Sequence, residues 1–118
     1  MKTLVMLVLL SATAVMAQST HSVDLSWTAS IDAAANPSGT YTIYRAPVPC
    51  TPAPAATAFV KIGSAIASLT KFTDPVVPLG PFCYAVTFTV NGVESLQSNL
   101  TPAVVLPAAP VLGPAVVH

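Results

Sequence analysis

From His21 to Ser30 the chain reads HSVDLSWTAS, and the alternation in that stretch limits the possible folds more than any other feature. Val23, Leu25 and Trp27 fall on one side of an extended chain, while Asp24, Ser26 and Thr28 fall on the other. This is the period of a half-buried strand carrying a core tryptophan. Beyond residue 17 no stretch sustains the i, i+3, i+4 apolar spacing of a helix, and the twelve prolines interrupt most windows. The chain therefore has to be built from strands.

The other extended segments are short and evenly spaced. Val23–Ser30 ends before the turn signal Asn36-Pro37-Ser38-Gly39. Thr40–Ala46 (TYTIYRA) puts Tyr41 and Ile43 on one face and Thr42 and Tyr44 on the other. Residues 47–56 (PVPCTPAPAA) form a proline-rich loop that cannot enter the interior of a ladder. Phe59–Ile62 and Leu69–Thr73 are predicted strands, the second closed by Asp74-Pro75, which reads as turn chemistry. Phe82–Val90 (FCYAVTFTV) runs into Asn91-Gly92, and Val93–Ser98 returns. Asn-Gly between such segments is the strongest short hairpin signal, because a type I′ turn needs positive φ at both central positions. Phe82, Tyr84, Val86 and Phe88 share a face too large and apolar for water, which places Cys83 and Thr87 on an outer face. The predicted core is Trp27, Tyr41, Ile43, Phe82, Tyr84, Val86 and Phe88. Several short strands with turns between them describe an all-β antiparallel sandwich.

The first 17 residues, MKTLVMLVLLSATAVMA, have the layout of a secretory signal peptide. A basic Lys2 precedes an apolar run, and small residues lead to a cleavage site after Ala17, with Ala14 as the alternative. The run is short for a transmembrane span of about 20 residues, and no stable membrane insertion is expected after cleavage. An exported chain with two cysteines, Cys50 and Cys83, is expected to pair them. In the chain-entropy view, closing that loop is worth about 3–4 kcal/mol. The mature part carries Arg45, Lys61 and Lys71 against Asp24, Asp32, Asp74 and Glu94. That near balance gives no field to attract nucleic acid.

No catalytic constellation is visible. His21 and His118 lie at the margins of the mature part, Asp24 faces outward and Asp32 sits in a turn. There is no Gly-x-Ser-x-Gly elbow, no phosphate loop and no metal-spaced Cys/His set. The chain is expected to be non-enzymatic, with no cofactor and no metal. Tyr44 and Arg45, on or near the outer face, are the candidate contacts for a protein or a sugar.

Taken together, SVDLSWTAS, YTIYRA, FVKI, TKFTD and GPFCYAVTFTVNGVESLQSN resemble a fibronectin type III domain of the bacterial kind, over residues 21–106. In that resemblance Trp27 stands as the strand-B tryptophan, and Tyr41 and Ile43 as the core of strand C. Leu79, Gly80 and the run from Phe82 to Tyr84 stand at the E–F corner and in strand F. Glu94-Ser95 and Ser98-Asn99 open strand G. Phe82 stands where the family often has its corner tyrosine, so the hydroxyl-to-backbone bond is either missing or moved to Tyr84. No Arg-Gly-Asp tripeptide is present, so integrin binding is not implied.

The resemblance also implies a proline-rich strand A ahead of the tryptophan strand. After cleavage only QSTHS would remain there, while PAAPVLGPAVVH follows the expected end of strand G near Leu106. That tail, Pro107 to His118, has three readings: a flexible tether, a strand A that completes its own sandwich, or a strand donated to a neighbour for self-association. The expected protein is a secreted, periplasmic or surface-held structural or adhesive module for cell adhesion. A carbohydrate-binding accessory module and a fibre-forming subunit are the alternatives, with an unidentified protein or polysaccharide at the cell surface as partner.

Overall fold

The computed structural model describes residues 21–118; the expected export signal and its cleavage after Ala17 lie outside the described residues. The described chain is all-β, with two antiparallel sheets facing each other in a sandwich-like pair and no α-helix among the described residues. Seven strands make it up: β1 Val23–Ser26, β2 Thr40–Ala46, β3 Val60–Ile66, β4 Lys71–Asp74, β5 Gly80–Val90, β6 Val93–Glu94 and β7 Thr101–Val105. A two-stranded sheet pairs β1 with β4. A larger sheet runs β3-β2-β5-β6, and β7 also pairs with β5.

The strand bounds differ from the sequence expectation where turns compete with pairing. The tryptophan strand stops at Ser26 rather than Ser30, although the Trp27 N–H still donates to the Thr70 carbonyl at 3.1 Å. The strand expected at Phe59–Ile62 runs from Val60 to Ile66, because β2 offers partners along its whole length. At the hairpin, Asn91 and Gly92 have φ of 51° and 77°, the left-handed pair a type I′ turn requires. The Asn36–Gly39 turn closes with the Gly39 N–H donating to the Asn36 carbonyl at 2.9 Å.

The return strand expected over Val93–Ser98 is only two residues long, and pairing resumes at Thr101. Ser95 and Ser98 bridge the gap by the same device. The Ser95 N–H donates to the Phe88 carbonyl while its Oγ accepts from the Phe88 N–H, each at 2.9 Å. Ser98 does the same with Val86, at 2.9 and 3.0 Å. A serine hydroxyl thus stands in for a ladder carbonyl, and the edge bulges without leaving β5 unpaired.

Two apolar clusters fill the space between the sheets. Tyr41, Ile43, Ala65 and Phe88 centre one of them, with Leu25, Trp27 and Phe72 packed against it. Val77, Phe82, Tyr84 and Val105 centre the other, with Val23 and Leu25 at its rim. The Tyr41 ring bridges Trp27 and Phe88, with centroids 5.2 and 4.8 Å away. Gly63 leaves room for the Phe72 ring of the opposite sheet; a Cβ there would sit 2.3 Å from Phe72 Cε1.

Of the predicted core, Tyr41, Ile43, Phe82, Tyr84 and Phe88 are buried, whereas Trp27 and Val86 are only half-buried. Both line the side of the sandwich where the smaller sheet has just two strands to cover the larger one. Cys83 and Thr87, expected on an open outer face, are buried. The Cys50–Cys83 disulfide, 33 residues apart in sequence, holds the proline-rich loop on that face, and Glu94 covers Thr87.

Candidate functional site

Strand parity settles the two residues offered as outer-face contacts. On β5, Tyr41 pairs with Phe88, Ile43 with Val86 and Arg45 with Tyr84, so Arg45 lies on the inner face with the core. Its side chain crosses between the sheets. Arg45 Nη1 donates to Asp74 Oδ2 at 2.7 Å, and the Tyr84 hydroxyl donates to the same oxygen at 2.8 Å. The guanidinium also lies 5.0 Å from the Phe82 ring centroid. Asp74 is only 4% exposed, so this carboxylate depends on its two charge-assisted partners. Burial, followed by the bond to Asp74, pushes the Tyr84 hydroxyl up to about 12. The Tyr84 hydroxyl thus reaches a carboxylate on the facing sheet rather than a backbone carbonyl.

Tyr44 does face outward, opposite Ala85. Its hydroxyl donates to Glu94 Oε2, which also accepts from the Thr87 hydroxyl at 2.6 Å. The bond to Glu94 raises the Tyr44 pKa, and the bonds from Thr87 and Tyr44 hold the Glu94 carboxyl below its usual range. Arg45 Nη1 and the Tyr44 hydroxyl are thus both engaged within the domain. Asp74, Glu94, Ser95 and Ser98 were not legible as partners. The available signal was the parity of Arg45 with Tyr41 and Ile43, which demands an acid on the facing sheet.

The third feature is an open edge. Because the Trp27 N–H points to β4, the backbone groups of Asp24, Ser26 and Thr28 point the other way, and among the described residues no strand pairs with them. Beside this edge runs a groove of about 450 Å³ between Asp24–Thr28 on one wall and Tyr84–Val86, Ser98 and Thr101 on the other. Trp27 Nε1, at the groove, is a buried donor without an acceptor. The tail, residues 107–118, has no regular secondary structure and every residue exposed, and it does not fold back as a strand on its own sandwich. No cluster of three or more potential metal-ligating side chains is present among the described residues, and none of their helices is long and apolar enough to cross a membrane. A scan against protein-family models, a search of curated proteins and a search of solved structures find no match.

Proposed function

We propose that the chain is an exported, non-enzymatic structural or adhesive module of fibronectin type III-like topology, acting at or outside the cell surface. In this reading β1, β2, β3, β4 and β5 stand for strands B, C, C′, E and F, and β6 with β7 for a strand G broken at its serines. The observation that carries the reading is the backbone of Asp24, Ser26 and Thr28, unpaired among the described residues, beside an open groove. An edge of this kind takes an extended peptide by strand addition, with main-chain hydrogen bonds supplying affinity. The Cys50–Cys83 bridge supports an oxidising destination. For the carbohydrate-binding alternative, Tyr44 faces outward with its hydroxyl on Glu94, while Arg45 lies on the inner face against Asp74.

The test is to express the full chain in a bacterial host, fractionate the cells and determine the mass of the intact product. The reading expects a chain beginning at Gln18, outside the cytoplasm, with the disulfide formed, and a fraction held on the cells after washing. A product that keeps residues 1–17 in the cytoplasm sinks it. An exported chain that washes off completely removes the surface-held form and leaves a module that acts in the medium. Retention competed away by soluble polysaccharide moves the protein to the carbohydrate-binding class.

A further inference from the structure

The open edge and the exposed tail match each other in direction, in hydrogen-bonding side and in chemistry. Direction follows from the register. The His21 carbonyl accepts from the Val77 N–H, so β1 begins at the end of the sandwich where β5 begins at Gly80. Trp27 packs on Tyr41, which pairs with Phe88, so β1 finishes near the far end of β5. β7 runs the opposite way, from Thr101 opposite Tyr84 to Val105 opposite Gly80. The tail therefore leaves the domain at the end where β1 starts, already heading antiparallel to β1.

That heading suits another molecule better than its own. To reach its own β1 edge the tail must reverse within a few residues of Leu106 and then pair in parallel. Without any reversal it can run on into the far end of a second molecule, where the same heading is antiparallel to that molecule's β1.

The hydrogen-bonding side is set by proline spacing. Pro110 and Pro114 are four residues apart, so in an extended strand both missing N–H groups fall on one side. The other side keeps the N–H and C=O of Val111, Gly113, Ala115 and Val117, the complement of Asp24, Ser26 and Thr28. The proline side cannot accept a further strand, which would keep an assembly in single file. The tail is also uncharged, and this register turns Leu112 and Val116, exposed at 95% and 73%, to the same face as Trp27. In the groove it would cover Trp27 and Val86, the two core residues left half-buried.

We infer that residues 110–117 of one copy add antiparallel to the free edge of β1 in a second copy, completing its smaller sheet as a third strand. The contact is heterologous, so repetition gives an open head-to-tail fibre rather than a closed dimer. The inference rests on the proposed function only in requiring export and removal of the leader, so that no more than Gln18–Thr20 precedes His21 at the edge.

The test uses the exported chain and two proline variants. Ser26→Pro removes an N–H that faces the free edge and leaves the β1–β4 ladder intact. Ala115→Pro removes an N–H on the pairing side of the tail. Sedimentation over a wide concentration range is expected to show the wild type growing to several times the monomer mass, with each variant staying monomeric. Mixed in equal amounts, the two variants should form a dimer and stop, because one keeps a working tail and the other a working edge. A wild type that stays monomeric at every concentration overturns the inference, whether the edge is then closed by its own tail, by residues upstream of His21 or by nothing. Unchanged assembly in both variants also overturns it, as does a mixture that remains monomeric. A Ser26→Pro chain that does not fold is recognised by its circular dichroism, and Ala115→Pro, altered outside the sandwich, then decides alone. The compartment and mass of the product report separately on the proposed function, which survives an exported monomer that is held on cells.

Discussion

β5 and β1 lie in facing sheets of the same sandwich and are treated in opposite ways. β5 is flanked by β2 on one side and by β6, Ser95, Ser98 and β7 on the other, is bridged to the proline-rich loop through Cys83, and reaches the facing sheet through Tyr84. β1 has β4 on one side and nothing among the described residues on the other. The difference shows that a small domain can concentrate its cross-links in one half while, among the described residues, one sheet edge of the other half stays unpaired. Edges of this kind are normally hidden or blunted. Here the blunting residues, Pro110 and Pro114, lie on the segment proposed to fill the edge.

The comparison is tested most severely by removing the charge between the sheets. Arg45→Ala strands the Asp74 carboxylate, and chemical denaturation should show a loss of about 3–5 kcal/mol. A loss below about 1 kcal/mol would mean that the ion pair does not hold the closed half together. Next comes the bridge to the loop: a Cys50→Ala, Cys83→Ala double variant should lose about 3–4 kcal/mol by the same measurement.

The Tyr84 hydroxyl supplies a pH test. Its pKa is raised in the folded chain to about 12 from the ordinary 10.0, so between those values the unfolded chain has released a proton that the folded one keeps. Stability from this group is therefore fully present below pH 10 and is lost as pH rises toward 12, by roughly 2–3 kcal/mol. Melting curves of wild type and Tyr84→Phe should converge across that window, and parallel curves would refute the assignment. Smaller again, Ser95→Ala leaves the Phe88 N–H without its acceptor and should cost about 1 kcal/mol. Least of all, Ser26→Pro should change the stability of the monomer by no more than about 1 kcal/mol, because the N–H it removes has no partner among the described residues. A large loss there would show that the β1 edge is already closed.

Local pattern made most of the architecture legible. Alternation in HSVDLSWTAS, TYTIYRA and FCYAVTFTV located three strands, and Asn91-Gly92 located a turn with the required positive φ. Cys50 and Cys83 are paired as their number implied. The period that puts Tyr41 and Ile43 inside applies equally to Arg45, expected on or near the outer face, and the carboxylate of Asp74 on the facing sheet makes that inner position tolerable. Asp74, next to Pro75, looked like turn chemistry because a local reading cannot see a partner 29 residues away in sequence.

The sequence by itself determined the strand periods, the hairpin, the side of the tail that its prolines leave able to pair, and the lack of charge along that tail. These follow from backbone stereochemistry and from which side chains tolerate water, and both act over a few residues. The tertiary structure alone decided that Arg45, Asp74 and Tyr84 meet, that Thr87 and Cys83 are covered, that two serines patch a broken strand, and that β1 has, among the described residues, an unpaired edge facing a groove. Those outcomes depend on which strands become neighbours, a choice made by packing between residues far apart in the chain.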